Sequence, residues 1–352
     1  MRIREYGEFG FIDSIKEDTI VDPSTVTVGI GDDCAVYRTA PKSEQLITTD
    51  MMVAGIHFSP KTTEPFDVGY RLGAANISDI AAMGGRPRQA VIAVALPDTI
   101  TVEYMHRLFD GLKSVCRKYS VNLIGGDTVK TEGPLVLSVT IIGEVPCGQA
   151  LLRSGAKPGD VVVLTGPVGS SAVGLGTLLA SANGYEAVKT VHKRPEPQVA
   201  WGLRLRQAGA HSANDISDGL ASELNEIAKA SGVTITILAE KIPVLDETRQ
   251  WAKEIGKDPL DFAYFGGEDF QLVATVPVEA FQNGDLDGLH IIGHVAAGVE
   301  PAVYVENEKG ITTKLPAKGY NHFTEDDGLT MKTSATNLVT KTVSEQMEDS
   351  HE

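Results

Sequence analysis

The sequence predicts a two-domain protein that mixes helices and strands, in the α+β or α/β class. Its 352 residues are enough for two domains of ordinary size, each with its own core. Strand patterns and amphipathic helix patterns alternate along most of the chain. Glycine and proline cluster between residues 146 and 159. We therefore expect an N-terminal domain at 1–146 and a C-terminal α/β domain at 147–327.

Hydrophobic periodicity gives the predicted elements in order. In the first half we expect helices near 9–15, 66–83 and 102–119, and strands at 34–37, 45–49, 89–96, 121–124 and 135–145. In the second half we expect strands at 160–165, 213–216, 233–238, 270–276, 291–295 and 303–305, with helices at 172–182, 197–208 and 220–231. The helix at 66–83 is rich in Gly and Ala, which allow close backbone packing. Residues 328–352 are polar, acidic and without periodicity, and we expect them to be disordered.

Charge and composition exclude several classes of function. The formal net charge is −16, whereas nucleic-acid binding needs a basic surface. The chain shows no signal-peptide pattern and no apolar run of membrane-spanning length. Its three cysteines are widely spaced and match no zinc pattern, which suits a reducing compartment. We expect a cytoplasmic protein without nucleic-acid or membrane partners.

Acidic residues recur in glycine-rich or apolar surroundings. Asp32 and Asp33 follow two glycines with no Lys or Arg among their immediate neighbours, and adjacent carboxylates repel unless a cation or donors compensate. More acids of this kind follow at Asp50, Asp79, Asp127, Asp215, Asp218, Glu268 and Asp269. The working hypothesis is that these acids converge to hold divalent cations.

Each acid also has a plain structural interpretation. Asp50 could be a turn residue after a strand, and His57 a surface or structural histidine. Asp79 lies in the C-terminal half of its predicted helix, where the macrodipole disfavours an acid, and this favours a functional role. Ser217 or Asp218 could be the N-cap of the helix at 220–231, a contribution of about 1 kcal/mol.

The glycine-rich segment at 166–176 joins a strand to a helix. Helix N-termini of this kind can bind phosphate, but the segment matches neither a Walker A motif nor Gly-x-Gly-x-x-Gly. A tight strand-to-helix turn is the alternative.

Together, the acids predict an enzyme that handles phosphate through several Mg²⁺ ions rather than through lysines. No residue stands out as a covalent nucleophile. Direct in-line phosphoryl transfer is therefore the expected chemistry.

A series of short motifs runs through the chain in order: Gly29-Ile-Gly-Asp-Asp-Cys-Ala, Thr48-Thr-Asp50, Val53-Ala-Gly-Ile-His57-Phe, Asn76-Ile-Ser-Asp79, Ile124-Gly-Gly-Asp127-Thr, Arg153-Ser-Gly, Asp215-Ile-Ser-Asp218-Gly-Leu, Gly266-Gly-Glu268-Asp and Lys318-Gly-Tyr320. From residue 5 to about 325, this series resembles the thiamine-monophosphate kinase family. The resemblance implies the fold shared with aminoimidazole ribonucleotide synthetase (the PurM-like fold). In that fold an α+β N-terminal domain completes a β-barrel across a homodimer, beside a C-terminal α/β domain.

The resemblance also implies a reaction and its residues. ATP and thiamine monophosphate would give thiamine diphosphate and ADP with Mg²⁺, the last step of thiamine diphosphate biosynthesis. The implied Mg²⁺ ligands are Asp33, Thr48, Thr49, Asp50, Asp79, Asp127, Asp215 and Asp218, and among these Asp50, Asp127 and Asp218 are the expected catalytic residues. The implied nucleotide contacts are Gly126, Asp127, Arg153 and Ser217. The implied thiamine-phosphate contacts are His57, Glu268 and Tyr320. Asp32 would be a hydrogen-bonded neighbour of Asp33.

Two alternatives remain open from the sequence. One is another ATP-dependent enzyme of the same fold, such as a ligase like aminoimidazole ribonucleotide synthetase. The other is a non-catalytic protein that binds a nucleotide or metal. The hydrogenase-maturation relative carries a C-terminal cysteine, and no cysteine follows Cys147 here.

Overall fold

The computed structural model describes residues 8–30, 35–281 and 286–319. Asp32, Asp33, Tyr320 and the segment 328–352 lie outside the described residues. The first half contains helices α1 (Glu8–Ile15), α2 (Pro65–Ala82) and α3 (Val102–Lys118), and strands β1 (Val26–Val28), β2 (Val36–Tyr37), β3 (Ser43–Val53), β4 (Arg86–Pro97), β5 (Asn122–Thr131) and β6 (Val136–Pro146). Helices α2 and α3 match the predicted ranges within two residues, whereas β3 and β5 extend well beyond them.

The second half alternates shorter elements. Its strands are β7 (Val161–Leu164), β8 (Ser212–Asp215), β9 (Thr234–Leu238), β10 (Leu272–Val276), β11 (His290–Ala296), β12 (Ala302–Glu306) and β13 (Thr312–Lys314). Its helices are α4 (Ser170–Leu179), α5 (Glu186–Lys193), α6 (Val199–Gln207), α7 (Leu220–Ser231), α8 (Asp246–Glu254) and α9 (Pro259–Phe265). Helices α5, α8 and α9 were not among the elements predicted from the sequence. These helices have seven to nine residues, which is too short for a clear helical period.

Each half has its own sheet. In the first half the strand order is β3-β6-β4-β5, with only the β4–β5 pair parallel. In the second half a seven-stranded mixed sheet has the order β13-β12-β9-β11-β7-β10-β8. Separate hydrophobic clusters lie against the two sheets. The architecture is therefore the expected two-domain fold with mixed α and β content. None of the helices among the described residues is long and apolar enough to span a bilayer.

Helix α2 is buried along most of its length and packs closely against its neighbours. A Cβ at Gly69 would lie 1.9 Å from the Leu108 carbonyl oxygen on α3. On the opposite helix, a Cβ at Gly111 would lie 1.8 Å from the Phe66 carbonyl oxygen. The glycines therefore let the two backbones approach each other more closely than any larger residue would allow. This confirms the close packing expected from the Gly- and Ala-rich pattern.

We predict that Gly69→Ala destabilises the protein by about 1–3 kcal/mol, because the added methyl group forces α2 away from α3. Thermal unfolding measures the effect. Gly133→Ala is the control, since a Cβ there would meet Thr131 Oγ1 at an ordinary 3.5 Å. Equal melting temperatures for the two variants would show that the α2–α3 interface tolerates extra volume.

Candidate functional site

Three acids from different elements approach one another where α2 meets β3 and the end of β8. Asp79, on α2, accepts a hydrogen bond from the Thr48 hydroxyl on β3. Ser78 directly precedes Asp79 on α2, and its buried hydroxyl donates to Asp215 Oδ2 at 2.7 Å. Asp215 is the last residue of β8 and is 4% exposed. The cluster therefore lies at the junction of the two domains.

Asp50 belongs to the same junction and is held through its backbone. Its amide donates to Asn76 Oδ1 at 3.1 Å, and the Asn76 side chain in turn donates to the Leu72 carbonyl at 3.0 Å. Asn76 is completely buried, and both its side-chain oxygen and its side-chain nitrogen form hydrogen bonds within the protein. The expectation that Asp50 follows the end of a strand was wrong, because β3 continues to Val53. A residue inside a paired strand is held more rigidly than one in a turn.

Burial and mutual repulsion make these carboxylates difficult to ionise. Burial raises the pKa of Asp50 to about 7, with further increases from Asp79, Glu268 and Asp218. Burial, followed by the charge of Asp79, also raises the pKa of Asp215 well above its usual value. Burial raises the pKa of Asp79, although the Thr48 hydrogen bond and Arg153 oppose this. The site therefore stores like-charge repulsion that a bound cation would relieve.

A cleft of about 500 Å³ opens beside this cluster. Thr48, Asp79 and Asp215 line one part of it, and Arg153 lines another. Arg153 Nε donates to Asn214 Oδ1 at 3.2 Å, while its guanidinium lies 4.0 Å from Glu226. The cleft thus combines carboxylates with a fixed cation, which suits a ligand that carries both phosphate and divalent metal.

Asp127 and Thr49 lie on the opposite face of the N-terminal sheet. Asp127 pairs in register with Ala93, Ala93 with Ser138, and Ser138 with Met51, which is 56% exposed. Because side chains alternate along a strand, Asp127 shares the open face with Met51, whereas Asp50 faces the helices. Within a single chain, Asp127 therefore does not join the acids at the domain junction. The Thr49 hydroxyl also lies on the open face, where it donates to the Val139 carbonyl at 3.1 Å.

The position of Gly126 and Asp127 within their element also differs from the expectation. The predicted strand ended at residue 124, but β5 continues through both residues to Thr131. A Cβ at Gly126 would lie 2.1 Å from the Ile92 carbonyl oxygen of β4. Close approach of β4 therefore explains this glycine without a ligand.

The capping interpretation of Asp218 and Ser217 was also wrong. The N-cap of α7 is Gly219. Its φ of 112° is a value that residues with a side chain rarely adopt. The Asp218 amide donates to Glu223 Oε1 at 3.3 Å, and the Ser217 carbonyl accepts from the Glu268 amide at 2.7 Å. The start of α7 is thus held by the backbone and by Glu223. The charge of Asp218 acts on Asp50, whose pKa it raises.

The glycine-rich segment 166–176 already holds an internal anion. The Asp269 carboxylate accepts from the Gly169 amide at 2.5 Å and from the Ser171 amide at 2.8 Å. These amides lie at the N-terminus of α4, the position at which a phosphate would bind. Burial raises the pKa of Asp269 to about 7, although these amide donors lower it. The segment is a packed strand-to-helix turn whose anion site is occupied by the protein itself.

Two of the predicted substrate contacts lie near each other. His57 Nδ1 accepts from the Val53 amide at 3.0 Å, which leaves the proton of the neutral ring on Nε2. Burial raises the pKa of Glu268, but the Arg71 guanidinium outweighs burial and the net shift is downward. Nearby His57 also acts to lower that pKa. Glu268 forms an ion pair with Arg71.

Three residues at the site were not predicted from the sequence. Arg71 pairs with Glu268, and Asn214 and Glu223 are hydrogen-bonded to each other at the edge of the acidic cluster. Burial, followed by the charge of Asp218, raises the pKa of Glu223 to about 7. Arg71 could have been found, because it is the one charged residue between Asp67 and Asp79 in an otherwise apolar or small-sided helix. The roles of Asn214 and Glu223 depend on tertiary contacts that no local pattern records.

The side chains of the acidic cluster meet some of the requirements of a site for a divalent metal ion. Thr48, Asp50, Asp79 and Asp215 supply the hard oxygen donors that Mg²⁺ prefers. No three His, Cys, Asp or Glu side chains within 8–30, 35–281 and 286–319 are close enough to form a metal site by themselves. Mg²⁺ commonly uses one or two carboxylates and completes its coordination with water and substrate phosphate. The site therefore suits Mg²⁺ that arrives with a nucleotide.

Comparison with known proteins identifies both domains. Residues 31–145 match the family model for the AIR synthase related protein N-terminal domain, and residues 157–306 match the corresponding C-terminal domain. The thiamine-monophosphate kinase of Bacillus subtilis is 41% identical over 328 residues, which cover 90% of this chain and 99% of that protein.

Solved structures agree with these matches. The thiamine-monophosphate kinase of Stenotrophomonas maltophilia superposes with a TM-score of 0.76 at 35% identity, over 85% of this chain and 96% of the other. A structure described as AaThiL complexed with AMPPCP and TMP superposes with a TM-score of 0.73 at 35% identity, over 92% of this chain and 99% of the other. This chain belongs to the thiamine-monophosphate kinase family of the AIR synthase related proteins.

Proposed function

We propose that this chain phosphorylates thiamine monophosphate with ATP to give thiamine diphosphate and ADP, the last step of thiamine diphosphate biosynthesis. The observation that carries the proposal is the set of destabilised carboxylates, Asp50, Asp79 and Asp215, beside Arg153 at the domain junction. The relative described with AMPPCP and TMP has the same fold over nearly its whole length. We also propose that the enzyme acts in the cytoplasm.

The carboxylates would hold several Mg²⁺ ions, and Asp50, Asp79, Asp215 and Asp218 are the residues on the helix-packed side of the sheet that can contribute. Bound Mg²⁺ would neutralise the phosphate charges during in-line transfer. The protein supplies rigid positioning, since Asn76 holds the Asp50 backbone and Ser78 holds Asp215. Arg153 is a further cation that would face the nucleotide phosphates.

His57, Glu268 and Tyr320 are the proposed contacts with thiamine monophosphate, and Ser217 and Gly126 are proposed to contact the nucleotide. The Glu268 carboxylate suits the positively charged thiazolium ring of the substrate. The domain limits 1–146 and 147–327 remain part of the same proposal.

We propose that the functional unit is a homodimer in which two N-terminal sheets close a β-barrel. The open face of the sheet carries Ile47, Met51 and Val129, which are 73%, 56% and 50% exposed. Apolar side chains clustered in this way on one face are typical of an interface. Asp127 and Thr49 lie on the same face, so a second copy would cover the two predicted ligands that do not reach the cluster within one chain.

The purified protein, given ATP, Mg²⁺ and thiamine monophosphate, is predicted to form thiamine diphosphate and ADP in equal amounts. Chromatography of the products with a coupled ADP assay measures the reaction. Formation of an aminoimidazole product from formylglycinamidine ribonucleotide, without thiamine diphosphate, would instead identify a ligase of the same fold. Nucleotide binding without any turnover would identify a non-catalytic binding protein.

Asp50→Asn is predicted to lower kcat at least about 100-fold, because it removes one charge from the proposed metal site. The melting temperature without Mg²⁺ should stay within a few degrees of the parent value or rise, since the change also removes repulsion among the acids. A large fall in metal-free stability would instead show that Asp50 supports the fold. Asp98→Asn, a change at a half-exposed acid that does not line the cleft, is the control and should alter neither quantity.

Ile47→Lys is predicted to weaken the dimer at least about tenfold, because it places a charge within the proposed apolar interface. Sedimentation velocity over a range of concentrations measures the dissociation constant. Ile311→Lys is the matched control, because Ile311 is 57% exposed and lies in the C-terminal domain. If both variants have the parent's oligomeric state, the open face of the sheet is not the dimer interface.

A further inference from the structure

Arg71 is buried within α2 and must find its partners inside the protein. Its side chain is only 3% exposed, and an unpaired buried guanidinium would be costly. Nη2 donates to both oxygens of the Glu268 carboxylate, at 2.6 Å to Oε1 and at a shorter distance to Oε2. Arg71 comes from the N-terminal domain and Glu268 from the C-terminal domain, so this ion pair crosses the domain junction.

Glu268 is held in an uncommon backbone conformation. Its φ is 63°, in the left-handed region that side-chain-bearing residues rarely adopt. Its amide donates to the Ser217 carbonyl at 2.7 Å, and a Cβ on the preceding Gly267 would lie 2.3 Å from that same carbonyl oxygen. The backbone is therefore fixed, and the carboxylate that it carries is held by Arg71. One third of the Glu268 side chain remains exposed. Asp50 and His57 are close enough for charge interactions with Glu268.

Arg71 is itself held from the C-terminal domain. His192, on α5, is 2% exposed, and its Nε2 lies 3.4 Å from Arg71 Nη1. Burial, and then the charge of Arg71, lowers the pKa of His192 to about 3, so its ring is neutral at physiological pH. Nε2 then accepts from Arg71, and the protonated Nδ1 donates to the Ser171 hydroxyl at 3.1 Å. A continuous chain of hydrogen bonds thus runs from α4 through α5 and α2 to the Glu268 carboxylate.

We propose that Arg71 is a positioning residue that sets the direction of the Glu268 carboxylate so that its exposed side can bind the cationic part of the substrate. The inference rests on the proposed role of Glu268 in binding thiamine monophosphate. Arg71 would not touch the substrate. Its effect would be specific to the substrate that Glu268 binds and would leave ATP binding nearly unchanged.

A second ion pair joins α2 to the end of α5 and provides a control. Arg194 Nε, at the end of α5, donates to Asp67 Oδ1 on α2 at 2.5 Å, and its guanidinium lies 4.7 Å from the centre of the Phe66 ring. This pair links the domains without any contact to Glu268. Arg194→Met therefore removes a link of the same kind and separates a general loss of domain contact from a loss of positioning.

The test compares the steady-state kinetics of Arg71→Met, Arg71→Lys, Glu268→Gln and Arg194→Met, with each substrate varied in turn. Arg71→Met should raise KM for thiamine monophosphate about tenfold or more and change KM for ATP less than twofold. Arg71→Lys should recover part of that loss, because it keeps the charge but not the planar geometry. Arg194→Met should retain both KM values. Adding Arg71→Met to Glu268→Gln should cost little beyond Glu268→Gln alone, because coupled residues are not additive.

The possible outcomes separate this inference from the proposed function. If Glu268→Gln raises KM for thiamine monophosphate but neither Arg71 variant does, the positioning role is wrong and the substrate role of Glu268 stands. If Glu268→Gln itself leaves that KM unchanged, the substrate role is wrong and the inference falls with it. If Arg71→Met and Arg194→Met show the same loss of melting temperature and the same kinetics, Arg71 only links the domains. Should Arg71→Met fail to fold, Arg71→Lys and the double variant, which lacks an unpaired buried charge, give the same comparison.

Discussion

Helix α2 carries several buried polar side chains, and each of them needs a hydrogen-bond or ion-pair partner. The rest of the site depends on where those partners come from. Asp67, Arg71, Asn76 and Ser78 are all less than 5% exposed. Water cannot reach them, so each needs a partner within the protein. Those partners come from β3 and from the C-terminal domain, and the helix therefore fixes both domains relative to the acidic cluster. Its close packing through Gly69 and Gly111 keeps it from moving to relieve the repulsion.

The acidic cluster lowers the stability of the metal-free protein, and this loss of stability indicates a role in binding a ligand. Carboxylates whose pKa values are raised by burial and by one another lower the stability of the folded state at neutral pH. A structure retains such an arrangement where a ligand compensates for it. The oppositely charged Arg71–Glu268 pair shows the contrast, since there the neighbouring cation lowers the pKa of the acid.

Much of the fold follows from local patterns. The long helices α2 and α3 were predicted because their apolar period is sustained over 17 or 18 residues. Asp50 and Asp79 were singled out because acids are unusual in such apolar surroundings. The separation of Asp127 from them could not be predicted, because it depends on β5 continuing past two glycines and so on the register of the whole sheet. Likewise, only the tertiary structure shows that Asp269 fills the anion site of the glycine-rich turn.

The most direct test of the cation-holding cluster is the location of metal in a crystal of this protein grown with Mn²⁺ and a non-hydrolysable ATP analogue. Mn²⁺ shares the oxygen ligands of Mg²⁺ and gives anomalous scattering. We expect anomalous peaks beside the carboxylates of Asp50, Asp79 and Asp215, together with nucleotide phosphate in the cleft next to Arg153. Well-defined nucleotide with no metal peak at these three carboxylates would contradict the account.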